Sequence, residues 1–77
     1  MTRIIYQIVI AKTGEDNENW RYINAGKYQH RKNAEIAAVK IRLANPDYAF
    51  IVLEMRHEKL NVFDQWELIK EEVLEHY

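Results

Sequence analysis

The chain has 77 residues, 48% of them apolar and 12% aromatic, with one Pro, two Gly and no Cys. That length supports one domain, the aromatic content argues against disorder, and the lack of Cys excludes disulfides and thiolate metal sites. Eleven basic and twelve acidic side chains leave a net charge of -1, whereas a dedicated nucleic-acid binder is usually clearly basic, because phosphate neutralisation carries its affinity.

Residues 3–11 are rich in β-branched side chains and read as a strand. Ile4, Tyr6, Ile8 and Ile10 form an apolar face, while Arg3, Ile5, Gln7 and Val9 form a mixed one, as expected of a central strand. No small-residue cleavage site follows, and no apolar run approaches the roughly 20 residues of a membrane span. These absences point to the cytoplasm and to no membrane partner. Lys12–Asn19 holds Gly14, Asp16 and Asn17 and reads as an exposed connection. Trp20–Ala25 resumes β character and is expected to pair with the first strand as a hairpin, with Gly26 marking the exit.

Residues 31–45 read as a helix rich in Ala, capped by His30 or Asn33 and ended by Asn45-Pro46. Ala34, Ala37, Ala38, Ile41 and Ala44 form one stripe, and Ile36, Val39 and Leu43 lie roughly opposite. A helix that is apolar on two sides is covered on both. The expected second cover is the helix predicted at the C-terminal end; the alternative is a partner protein.

Tyr48–Arg56 is the third predicted strand, followed by a polar stretch through Lys59. Residues 62–76 then read as a second helix started by Asn61. Its apolar stripe is Val62, Trp66, Ile69, Val73 and Tyr77, with Trp66 expected to be buried against the first helix or the sheet. The sequence thus predicts an α+β fold, ββαβα, with a three-stranded antiparallel sheet of order 2-1-3 and two helices.

Function is sought on surfaces. On the predicted second helix, Asp64, Glu67, Glu71 and Glu75 fall in one row with Leu68 beside it. That is either a solvated face or a docking strip for a protein with a basic surface. Like charges three and four apart cost a little helix stability, which favours a use for them. The sheet face away from the helices is expected to be too apolar for water. The third strand gives that face either Tyr48, Phe50 and Val52 or Ala49, Ile51 and Leu53. The candidate covers are a homodimer, a protein partner, or single-stranded bases stacked on sheet aromatics. Lys27, Tyr28, His30, Arg31 and Lys32 cluster at the start of the first helix, where an anion or nucleic-acid contact is conceivable; solubility is the plainer reading.

Nothing suggests catalysis. There is no Ser or Cys to serve as nucleophile, and the glycines are lone. Arg56-His57-Glu58 reads as a short charged turn. His30, His57 and His76 lack metal-ligand spacing, so no metal or cofactor is expected.

Two resemblances accompany these readings. Ala25–Glu35 resembles the strand-to-helix passage of the peptidoglycan-binding sporulation-related repeat domain, over one half of a domain built from two; no function is carried over from it. In composition and layout, including Asn45-Pro46-Asp47 before a strand, the chain is similar to short accessory proteins of tailed bacteriophages. That resemblance implies a protein that binds and inhibits a host enzyme or defence factor. The leading expectation is therefore a non-catalytic protein-binding module. The alternative is a nucleic-acid-binding accessory protein using the aromatic sheet face and the basic helix start, and a third reading is a structural dimer module.

Overall fold

A computed structural model describes residues 1–11 and 22–77. The elements run β1 (Thr2–Ala11), β2 (Tyr22–Tyr28), α1 (Arg31–Ala44), β3 (Phe50–Leu60) and β4 (Trp66–His76). The strands form one sheet, each pair antiparallel, in the order β2-β1-β3-β4. The α+β class and the order of the first three strands follow the sequence reading. The predicted second helix is instead a fourth strand. The connection expected over Lys12–Asn19, and Trp20 with it, lie outside the described residues.

The core follows from the alternation of β1. Ile8 and Ile10 pair in register with Leu53 and Ile51 of β3, and all four point at α1. There Ala34 and Ala38 are fully buried, because small side chains let the helix backbone approach the sheet. Tyr6, Ala25, Tyr28, Ile41, Leu74 and Tyr77 close the rim of this cluster. Gly26 lies within β2 rather than at its exit. The Tyr28 ring lies over it, so an added Cβ would stand 2.9 Å from Cε2 of that ring.

α1 starts after His30, whose backbone is extended and whose side chain makes no capping bond. It ends at Asn45, whose amide side chain donates to the Ile41 carbonyl at 3.0 Å, and Pro46 forbids continuation. β3 runs through Arg56-His57-Glu58, so the predicted charged turn is regular strand paired with both β1 and β4.

The turn between β3 and β4 explains why no helix forms there. Asn61 accepts backbone N–H bonds at its Oδ1 from Phe63 (2.8 Å) and Gln65 (2.9 Å). Its own N–H donates to the Gln65 carbonyl at 2.9 Å. Asp64, at φ 57, occupies the left-handed region that Asp tolerates. The result is a three-residue hairpin loop. β4 then carries two bulges, at Ile69 and Leu74, where its register with β3 shifts.

The sheet face away from α1, expected to be too apolar for water, is mixed: Ile5, Val9, Phe50, Val52, Leu68 and Val73 lie on it. Its centre is a polar ladder. Gln7 donates from Nε2 to Glu54 (2.8 Å) and Glu71 (3.2 Å) and accepts from Asn24 (2.9 Å). Glu58 accepts from Arg3 at 2.8 Å. Gln7 and Glu58 are 4% and 5% exposed, and burial of this kind is tolerated because their polar atoms are bonded. Trp66, expected to be buried against the first helix or the sheet, sits half-buried on this same sheet face, with the Arg3 guanidinium 4.0 Å from its ring centroid.

Candidate functional site

A strand sends neighbouring side chains to opposite faces, and this dissolves the acidic row. Glu71 lies on the face away from α1, bonded to Arg56 Nη1 at 2.9 Å and to Gln7. Leu68 shares that face, since it pairs with Glu58. Glu67 and Glu75 lie on the opposite face. Glu67 accepts from the Asn61 amide at 3.0 Å. Glu75 is 3.5 Å from Arg31 and accepts the Tyr77 hydroxyl proton in a hydrogen bond. Asp64 is a turn residue. No continuous strip of carboxylates exists, and those at 67, 71 and 75 each have a partner within the chain.

The basic cluster is divided as well. Lys27 pairs with Gln7 and belongs to the face away from α1. Tyr28 packs on the core. Arg31 bonds to Glu35 at 2.8 Å, and that bond raises its pKa above the ordinary value, with help from the charge of Glu75. His30 and Lys32 are exposed.

Around Tyr77 the end of β4 is fastened to α1. Arg42 donates from Nη2 and Nε to the Tyr77 main-chain oxygen at 2.7 and 3.0 Å. Burial, together with the hydrogen bond to Glu75, pushes the Tyr77 phenol from 10.0 up to about 12. A pKa raised on folding favours the neutral form. The associated stability is fully present below pH 10.0 and is lost as pH rises through about 12. Urea unfolding of wild type should therefore weaken between those limits more than that of Tyr77→Phe. Equal losses in the two proteins would show that this phenol is not coupled to folding.

Among the described residues, the outer side of α1 carries a line of exposed apolar side chains. Ile36, Val39 and Leu43 are 47%, 46% and 78% exposed. Beside them is a groove of about 500 Å³ lined by Glu35, Ile36, Val39, Lys40, Glu75 and Tyr77. The stripe was legible in the sequence, but its cover was assigned to a helix that does not form. Val62, expected in the apolar stripe of the second helix, belongs instead to the hairpin tip, where it and Phe63 are exposed.

Comparison with protein-family models, curated proteins and solved structures gives no match to this chain. No described helix is long and apolar enough to cross a membrane. Among the described residues, no group of three or more His, Asp or Glu side chains is placed to hold a metal ion.

Proposed function

We propose that the chain is a non-catalytic protein-binding module whose contact surface is the outer stripe of α1 with the groove beside it. The observation that carries this is the exposure of Ile36, Val39 and Leu43 along one line of a helix whose other side is committed to the sheet. Contiguous exposed apolar surface of this kind marks interaction sites in soluble domains. The surface is backed by a rigid support, because Arg42 and Tyr77 tie the helix to the end of β4. If the likeness to phage accessory proteins extends to function, the partner is a host protein that the module inhibits or modulates.

The nucleic-acid reading gains nothing from the geometry. A phosphate backbone on the sheet face away from α1 would meet Glu54 and Glu71, and Arg31 already faces two carboxylates.

A photo-crosslinking residue placed at Val39 should give discrete adducts, and one at Lys59 should not. Adding Leu43→Glu should lower the Val39 yield about tenfold, as for loss of a desolvated anchor, with the fold retained. Equal yields from Val39 and Lys59, or none from Val39, would defeat the proposal.

A further inference from the structure

We infer that the occupant of the α1 surface is a second copy of this chain, with its α1 packed parallel to the first about a common two-fold axis; this rests on the protein-binding reading above. The stripe has the spacing of a short coiled-coil seam. Ile36, Val39 and Leu43 stand at successive three- and four-residue steps, the a, d and a positions of a heptad. Glu35 directly precedes this seam and Lys40 directly follows its middle residue, so they occupy the g and e positions on opposite flanks of the stripe. Both side chains line the open groove.

The orientation follows from charge. In a parallel pair, the g flank of one helix meets the e flank of the other, one heptad on. Glu35 of each copy then faces Lys40 of its mate, and the two-fold axis makes the pair twice. In an antiparallel pair like flanks meet, so Glu35 of one copy no longer faces Lys40 of the other and both of these attractions are lost. Opposite charges at these flanking positions are what select partner and direction in paired helices. Arg31 bonds to Oε1 of Glu35, and a carboxylate has a second oxygen for the lysine. Each sheet lies on the far side of its own helix, so the pairing stacks sheet, helix, helix and sheet without asking either sheet to move. The apolar seam runs only from Ile36 to Leu43, and Lys32 holds the preceding d position in the first turn of α1, so the association is weak and depends on protein concentration.

The absence of native Cys makes the test clean. Ile36 and Leu43 lie about 10 Å apart along the helix axis. A parallel two-fold sets each against its own copy, so Ile36→Cys and Leu43→Cys should both give disulfide-linked dimers under mild oxidation. An antiparallel pair can bring at most one of them together, so linkage of a single variant would overturn the arrangement. In sedimentation, Lys40→Glu should weaken association about tenfold, and Glu35→Lys with Lys40→Glu should restore it to within about threefold, since two exposed pairs change from attraction to repulsion and back. Loss without restoration would remove the charge pairing. A monomer at every concentration, with no disulfide at either position, would overturn the second copy as occupant. Val39 adducts of some mass other than twice the chain would then leave the protein-binding reading standing, and no adducts at all would end that reading too.

Discussion

Leu53→Ala should leave no stably folded protein at room temperature. Leu53 is fully buried, pairs with Ile8 in the centre of the sheet and packs beneath α1. Truncating such a side chain removes its transfer free energy and leaves a cavity, together costing about 3–5 kcal/mol. A core of this size rarely supplies more than about 3–5 kcal/mol in all, so the loss matches the whole of the stability. Leu53→Met, which nearly conserves volume, should cost less than about 1.5 kcal/mol and remain folded. Circular dichroism and urea titration of the two variants check both statements. A folded Leu53→Ala with a cooperative transition near that of wild type would show that the helix does not depend on this contact.

Arg42→Ala should be the most damaging substitution outside the core. Arg42 stands in the last turn of α1, where a cation also complements the helix dipole. Besides the Tyr77 oxygen, its Nη1 donates to the Tyr48 carbonyl at 2.9 Å and, more distantly, to those of Asn45 and Pro46 at 3.4 Å. One guanidinium thus joins the helix end, the loop into β3 and the end of β4. Hydrogen bonds from a charged donor contribute about 1.5–3 kcal/mol each, and the deserted carbonyls add a penalty. A total of about 2–4 kcal/mol corresponds to a thermal midpoint lowered by roughly 10 °C or more. Arg42→Lys should recover little, because an ammonium cannot serve several divergent acceptors as a planar fork does. A midpoint shift of only a degree or two in Arg42→Ala would mean that the end of β4 is held by its sheet bonds alone.

The sequence made β1, α1 and the centre of β3 legible because each keeps a single period: two in the strands, three-to-four in the helix. β4 does not. Its bulges at Ile69 and Leu74 each insert one residue into a period of two, so Trp66, Ile69, Val73 and Tyr77 fall at steps of three and four and imitate a helix. Glu, Leu and Lys, all good helix formers, strengthen the imitation. Asn61 completes it, since an Asn side chain accepting nearby backbone N–H groups can open a helix or close a hairpin. Here it closes one. The polar ladder was hidden for another reason. Gln7, Glu54, Glu58 and Glu71 look like solvated positions one at a time, and only strand pairing shows that they bond to one another or to arginines. The candidate surface was half visible: the Ile36, Val39 and Leu43 stripe could be read directly, but its exposure depended on what the C-terminal segment became.

The bulges in β4 also govern what can happen at that border of the sheet. β4 is an outermost strand, and an outermost strand offers a row of unpaired amides to any extended chain that drifts past. An incoming straight segment needs an unbroken repeat to grow along. Between the two interruptions it finds only Lys70, Glu71, Glu72 and Val73 in regular succession, and three of these are charged. Each further step would require the newcomer to copy a kink. That border, rich in charge and twice interrupted, is thereby a poor seed for fibres, and the chain can keep its apolar side chains on display along α1 without inviting runaway stacking at β4.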